Sequence, residues 1–323
     1  MLTVSEAAKA LRSFDQVLIL THVRPDGDTV GCAAALCAGL RALGKTAYLL
    51  PNPELTKTSA PYFQPYEAPA DFLPEKIVST DIATVALLPE NAKCYVGHID
   101  LAIDHHPSFE HFGAANIVRP EAAACGELLY DILAALGPIT AEIALPLYVA
   151  VSTDTGCFAY ANTTADTHAV AAALMRTGID YHAVNKVFFR TKSRKRMQLE
   201  GAMLDSMEFH DCGRVAVLSV PISLMERVNA TESDAEDLSA LGGQIEGVDC
   251  AITMRELRPD VWKISVRTGS RVNATKVCQL LGGGGHAAAA GCTVEAPWPQ
   301  AKQKILDAVA RTVGELSDET ASC

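Results

Sequence analysis

The chain has 323 residues, enough for two domains, and 49% hydrophobic against 20% charged residues suits globular units with real cores. Its net charge of −11 argues against a long nucleic-acid partner, because gripping an extended polyanion takes a basic face. The first fifteen residues carry Glu6, Lys9, Arg12 and Asp15 and do not read as a secretory leader. No run of about 18 apolar residues suggests a membrane span. The ten cysteines include no C-x-x-C pair, so a cytoplasmic chain with reduced thiols and no membrane partner is the expectation.

In chain order, residues 4–11 are amphipathic and predict a helix, and the apolar run 16–22 predicts a buried strand. Asp26 to Asp28 follow in a turn, and residues 31–43 have helical periodicity that stops at Gly44. A second strand at 46–50 completes a βαβ opening, which starts a parallel sheet. Residues 51–74 hold six prolines and predict a long loop with room for one helical turn. Strands follow at 76–80 and 101–103, and helices at 122–136, 141–151, 165–177 and 181–189. The basic stretch 190–196 changes the texture and reads as a solvated linker or helix face. Beyond it, strands at 215–220, 250–256 and 262–267 alternate with helices and lead to a glycine run, and residues 318–323 read as a frayed tail. The expected architecture is α/β. A parallel-sheet domain over 1–189 has helices on both faces, a linker spans 190–212, and a smaller α/β domain covers 213–323, with the active site in the cleft between them.

Three clusters in the first domain lie where an apolar strand ends, the place where open α/β sheets bind ligands. They are His22-Val-Arg-Pro-Asp26-Gly-Asp28, then Asp81, then Asp104-His105-His106; a fourth, Thr153-Asp154-Thr-Gly156, closes a helical run. A lone aspartate in a turn is more often a cap than a ligand. Together, however, the clusters supply four carboxylates (Asp26, Asp28, Asp81, Asp154) and up to three imidazoles. That set can hold two divalent cations roughly 3.5–4 Å apart, the arrangement that activates water and clamps a phosphoryl group. Oxygen-rich ligation with some imidazole favours manganese, with magnesium as a substitute, over zinc.

The second constellation is Gly282-Gly-Gly-Gly285 followed by His286. Four glycines in a row cost any regular element dearly and let the backbone approach an anion closely. Arg267, at the end of an expected strand, can pair bidentately with a phosphate.

These residues resemble a known family. His22-Val-Arg-Pro-Asp26-Gly-Asp28-Thr-Val-Gly31, Asp104-His105-His106 and Thr153-Asp154-Thr-Gly156 look like the signature motifs of DHH phosphoesterases. Gly282-Gly-Gly-Gly285-His286-Ala-Ala-Ala-Ala290-Gly291 is similar to the motif of the DHH-associated C-terminal domain, and size and layout match the bifunctional oligoribonuclease/pAp phosphatases of the NrnA type. The resemblance implies that His22, Asp26 and Asp81 bind one metal, and that Asp28, Asp81, His105 and Asp154 bind the second, with Asp81 bridging. It implies that Asp104 orients His105, that His106 faces the substrate phosphate, and that Arg267, Gly283, Gly284, Gly285 and His286 bind the nucleotide end. The family usually has serine where Cys32 stands and hydroxyl residues within 121–127, and neither replacement is expected to touch a proposed ligand.

The activity so implied is that of a hydrolase, a metal-dependent phosphodiesterase/phosphatase. Its substrates would be dinucleotides and other short oligonucleotides (nanoRNA), cut to mononucleotides, and 3′-phosphoadenosine 5′-phosphate, converted to AMP. A homodimer is part of the same expectation. The alternatives are cleavage of cyclic di-AMP or linear pApA, then a single-strand exonuclease, which would call for more basic surface. Last comes an inorganic pyrophosphatase, against which the glycine–histidine motif speaks.

Overall fold

The computed structural model describes residues 1–235, 238–269 and 271–320. The chain divides into two compact units, Met1–Thr191 and Lys192–Cys323.

The first unit opens with helix α1 (Val4–Ser13), started by a reciprocal cap between Thr3 and Glu6. Strand β1 (Val17–Leu20) leads to α2 (Gly27–Ala42) and β2 (Ala47–Leu49). The proline-rich loop holds one short helix, α3 (Ala60–Phe63). Then come β3 (Lys76–Thr80), β4 (Leu101–Asp104) and β5 (Ala115–Val118). Four helices close the unit: α4 (Cys125–Leu136), α5 (Ala141–Asp154), α6 (Ala165–Met175) and α7 (Tyr181–Phe189). All strand pairs are parallel, in the order β2-β1-β3-β4-β5. The chain leaves β1 to either side, so the sheet has its switch point between β1 and β3, where a crevice opens at the strand ends.

Alternation along the strands sorts the core into two faces. Val17, Ile19, Val78, Leu101 and Ile103 pack under the α-helices. Leu18, Leu20, Ile77 and Ala102 face Ile82, Leu88, Ala92 and Phe109, where the covering helical pieces are 3-10 turns, Val85–Leu87 and Glu90–Tyr95. Helix α2 is buried from Gly27 to Leu40 without a polar stripe, which explains why its periodicity alone misplaces its start. The expected turn at Asp26 to Asp28 is the helix's first turn, with Asp26 as its cap.

The second unit begins where a linker was expected: the basic stretch runs into α8 (Arg194–Asp205), capped by Ser193. It continues through β6 (Glu208–His210), β7 (Val215–Val220), α9 (Ile222–Arg227), β8 (Cys250–Arg258), β9 (Val261–Thr268) and α10 (Ala274–Gln279). The end is β10 (Gly284–His286), β11 (Ala289–Glu295) and α11 (Trp298–Thr320). The six strands run β10-β11-β9-β8-β7-β6, antiparallel except for β7 with β8. Helices α10 and α11 cover one face, and α8 and α9 the other. The tail expected to fray is helical through residue 320, and 321–323 lie outside the described residues. No described helix is long and apolar enough to cross a membrane.

Candidate metal centre

The first unit's switch point gathers all six proposed ligands. His22 stands two residues past β1, with Nδ1 2.8 Å from the Val23 carbonyl, which assigns the proton to Nδ1 and leaves Nε2 as donor to a ligand. Nε2 lies 3.6 Å from Asp26 Oδ1 and 3.9 Å from Asp81 Oδ2. The Asn52 amide steadies this turn by donating to the His22 carbonyl and the Thr21 hydroxyl at 2.9 and 3.0 Å. Asp26 Oδ1 accepts the Asp28 and Thr29 amides at 3.0 and 3.1 Å, so its position follows from capping α2.

Asp81 leaves β3 with φ at 59°, a left-handed turn that aspartate tolerates better than most residues. Its side chain is 3% exposed. Oδ2 faces His22, and Oδ1 faces the other way, 3.5 Å from His105 Nε2 and 3.6 Å from His106 Nδ1. Asp81 Oδ1 and Asp104 Oδ2 are buried with no hydrogen-bond partner.

Residues 122–126 form a second hub that sequence reading missed. The Ala122 carbonyl takes His105 Nδ1 at 3.1 Å, which turns Nε2 toward Asp154 Oδ2 (3.5 Å) and Asp28 Oδ2 (3.8 Å). The Cys125 and Gly126 amides donate to Asp28 at 2.7 and 3.1 Å, so Asp28 caps α4 from 97 residues away. This remote cap is why α4 starts at Cys125 and not at 122. Asn162 Nδ2 donates to the carbonyls of Ala123 and Asp154 at 3.0 and 3.1 Å and ties the hub to the end of α5. A polar side chain eight residues past Asp154 gives no local signal of that role.

Two expectations need correcting. Asp104 does not orient the His105 ring: its Oδ1 takes His106 Nδ1 at 2.7 Å and the backbone amides of both histidines at 2.6 and 2.9 Å. The acceptor adjacent to His105 is a carbonyl, so the carboxylate is spent on His106. Nor are the replaced hydroxyl positions remote from the ligands, since Cys32 Sγ donates to Asp28 Oδ1 at 3.2 Å and the Cys125 amide to Oδ2.

Asp28 and Asp154 come from different helices, and glycines let those helices touch. A Cβ on Gly27 would stand 2.3 Å from Thr153 Oγ1, and one on Gly31 2.3 Å from the Pro146 carbonyl of α5. A Cβ on Gly126 would lie 2.7 Å from that of Ala150. Backbone contact between α2 and α5 therefore sets the spacing of their carboxylates.

Crowded carboxylates resist ionisation together. Burial first, then the Asp28 and Asp26 charges, push Asp81 well above the usual carboxylate range and Asp154 up to about 8. Burial also raises Asp28, against the pull of His105. The Asp104 hydrogen bond holds His106 above the usual imidazole value, against its own burial. Burial opposes charging of both His22 and Asp26, yet their mutual attraction raises the histidine and lowers the carboxyl.

Divalent cations fit this donor set. His22, Asp26 and Asp81 form one group of ligand atoms, and Asp28, His105 and Asp154 a second. A third group, Asp81, His105 and His106, joins them through Asp81. The orphaned Asp81 Oδ1 and the uphill ionisation of three carboxyls are what a bound cation would relieve. Six oxygen and nitrogen donors with no thiolate suit manganese or magnesium chemistry.

In the second unit the glycine run is not an open loop. Gly284, Gly285 and His286 form edge strand β10 against Gly291, Ala290 and Ala289. Gly283 has backbone behind it, with a Cβ there 2.2 Å from the Gly291 carbonyl, and Gly285 adopts φ of 145°. Register then puts His286, Ala289 and Arg267 in one row across three strands, so the two basic side chains share a sheet face with only alanine between. Arg267 is half-buried, and its Nη1 donates to the Val266 carbonyl at 3.2 Å.

With this geometry in place, likeness to other proteins can be read. A bifunctional oligoribonuclease and PAP phosphatase NrnA from Thermus thermophilus is 33% identical over 314 residues, 96% of this chain and 93% of that protein. The Bacillus subtilis protein of the same name is 23% identical over 94% of this chain and 96% of its own. In fold, an exopolyphosphatase-related protein from Bacteroides fragilis covers 97% of both chains with a TM-score of 0.85 at 22% identity. Manganese-bound exonuclease RecJ reaches 0.52 at 16% identity, over 95% of this chain and 94% of its own. Residues 215–315 match the DHHA1 domain, and residues 16–179 match the N-terminal domain of the DHH family, to which this chain belongs.

Proposed function

We propose that this chain is a phosphoesterase working with two divalent cations, manganese or in its place magnesium. It hydrolyses short oligonucleotides to mononucleotides and 3′-phosphoadenosine 5′-phosphate to AMP. The observation that carries the reading is Asp81, a buried carboxylate whose two oxygens serve two separate ligand groups. The Thermus relative, which aligns over nearly the whole chain, is named for both activities.

In this reading His22, Asp26 and Asp81 hold one cation, and Asp28, Asp81, His105 and Asp154 the other. When bound, such a pair acidifies water and neutralises charge on the phosphoryl group in flight. The chain's own part is positional and protonic. Asp26 and Asp28 are fixed by helix caps, His22 and His105 by carbonyl acceptors on Nδ1. His106 has Nδ1 bound to Asp104, which holds it above the usual imidazole value, and in its charged form Nε2–H donates to a phosphate oxygen. From there it delivers the proton to the departing ribose oxygen. In the second unit, Arg267 and His286 contact the nucleotide end of the substrate, with Gly283, Gly284 and Gly285 giving close approach.

The test is Mn2+-dependent turnover of a dinucleotide, 3′-phosphoadenosine 5′-phosphate, cyclic di-AMP and pyrophosphate side by side. Preferential hydrolysis of either of the first two supports the reading. Turnover confined to cyclic di-AMP or pyrophosphate would replace the substrate class, and none with any metal would remove the enzyme.

A further inference from the structure

The segment after Asp154 has an unusual backbone. Gly156, Cys157 and Phe158 follow one another with φ of 56°, 57° and 67°. Left-handed residues with a Cβ are uncommon, and two in succession persist only where their surroundings hold them. The surroundings here do so. The Cys157 amide donates to the Ser152 carbonyl at 2.7 Å, and the Ala159 and Tyr160 amides both donate to Thr155 at 2.9 and 3.0 Å. The Thr155 hydroxyl is tied to Val151 at 2.6 Å, and the Asn162 amide clamps the Asp154 carbonyl.

The turn sends its two aromatic side chains to different surroundings. Phe158 goes inward, stacked on His168 at 5.3 Å and tilted against Tyr148 at 6.1 Å. Tyr160 stays 60% exposed, with its ring laid on Gly156: a Cβ there would be 2.4 Å from both Cε1 and Cζ. Among the described residues its hydroxyl has no hydrogen-bond partner. Asp154, two residues before Gly156, reaches within 3.5 Å of His105. An aromatic ring is thus laid on a backbone shelf held by hydrogen bonds, six residues along the chain from Asp154 of a centre that otherwise offers carboxylates and imidazoles.

We propose that Tyr160 is the stacking platform for a nucleobase of the substrate, and so a specificity-determining residue of the metal centre. The proposal rests on the phosphoesterase reading and adds to it a contact that recognises the base. Every base has a π-face, so a single fixed ring serves all sequences, as a broad-specificity enzyme for short oligomers requires. The phenol oxygen plays no part, and the ring alone is what counts.

The experiment uses the full chain with Mn2+ and the variants Tyr160→Ala and Tyr160→Phe, titrated calorimetrically with AMP and with ribose 5-phosphate, which lacks the base. Tyr160→Ala is expected to weaken AMP about tenfold, within the range of base–aromatic stacking, and to leave ribose 5-phosphate unchanged. Tyr160→Phe keeps both affinities. In turnover of a dinucleotide, Tyr160→Ala raises KM by a similar factor with kcat retained. Equal weakening of both ligands would show a structural role for the ring and overturn the proposal, as would an AMP affinity that does not change. A wild-type chain that hydrolyses neither dinucleotide nor 3′-phosphoadenosine 5′-phosphate would sink the function reading. The AMP and ribose 5-phosphate titrations would still decide the stacking contact.

Discussion

The metal centre of the first unit and the basic row of the second are built in opposite ways. The centre collects side chains from three strand ends and two helices, buries or half-buries all but Asp26, and fixes His22, Asp26, Asp28 and His105 through backbone groups. The row uses two adjacent strand pairings: register alone aligns His286, Ala289 and Arg267, and the first of these is exposed. The first design depends on long-range packing and leaves charge repulsion for a cation to relieve. The second depends on glycines that let strands approach. Mutations should therefore act on the centre through packing and ionisation, and on the row through backbone shape.

The largest packing effect is expected at Gly31. A methyl there meets the Pro146 carbonyl at 2.3 Å and the Ala150 amide at 2.7 Å, backbone atoms that cannot swing aside. Gly31→Ala should cost about 2 kcal/mol, or roughly 4–8 °C in Tm for a unit of this size. By parting Asp28 from Asp154 it should also weaken Mn2+ binding. A variant with unchanged Tm and metal affinity would break the link between helix contact and ligand spacing.

Next comes ionisation in chelated protein. The carboxyls of Asp81, Asp28 and Asp154 are raised in the folded chain, so the fold binds protons there that the unfolded chain has released. Stability from these groups is present at low pH and is lost as pH rises from about 4 through about 8, where Asp154 ionises. Raised His22 and His106 act with the same sign above the imidazole's ordinary value, and lowered Asp26 with the opposite sign only as pH falls below the usual carboxylate range. In EDTA, Tm should fall between pH 5 and pH 8, and Mn2+ should restore more at pH 8. A chelated protein that becomes more stable over that interval would contradict the repulsion.

The smallest effects sharpen the contrast inside the glycine row. Nothing lies within 4 Å of a Cβ on Gly284, whereas Gly283 meets the Gly291 carbonyl at 2.2 Å and Gly285 the Ala289 carbonyl at 2.6 Å. Gly284→Ala should stay within about 0.5 kcal/mol of wild type, and Gly283→Ala and Gly285→Ala should each cost about 1 kcal/mol, less than at Gly31 because an edge strand can give way. Equal cost at all three positions would mean that flexibility, not close approach, is what the run supplies.

The same contrast explains what the sequence could reveal. Runs with a clear period were legible to the residue: Lys76–Thr80, Val215–Val220 and Tyr181–Phe189 stand where expected. The six proposed ligand residues stood out as well, because each cluster closes an apolar run, and the fold gathers them at one switch point. Elements without a hydrophobic signature escaped. Strand β10 is glycine and histidine, β5 is a half-buried edge strand, and α8 begins in a run of cations. Partnerships formed across the fold escaped too. That Asp28 caps α4, that Asp104 serves His106, and that Asn162 holds Asp154 depend on contacts spanning from 2 to 97 residues, with no local pattern to mark them.

Asp81 faces His22 through Oδ2 and His105 through Oδ1, so in the proposed two-cation centre it decides whether the two ligand groups work as one. Calorimetric titration with Mn2+ of the wild type and of Asp81→Ala, paired with dinucleotide turnover, tests it most directly. Two cations per wild-type chain, at most one tight site in the variant and turnover reduced by three orders of magnitude or more are the expected results. A variant that still binds two cations, or that hydrolyses the dinucleotide at the wild-type rate, would contradict a centre bridged by Asp81.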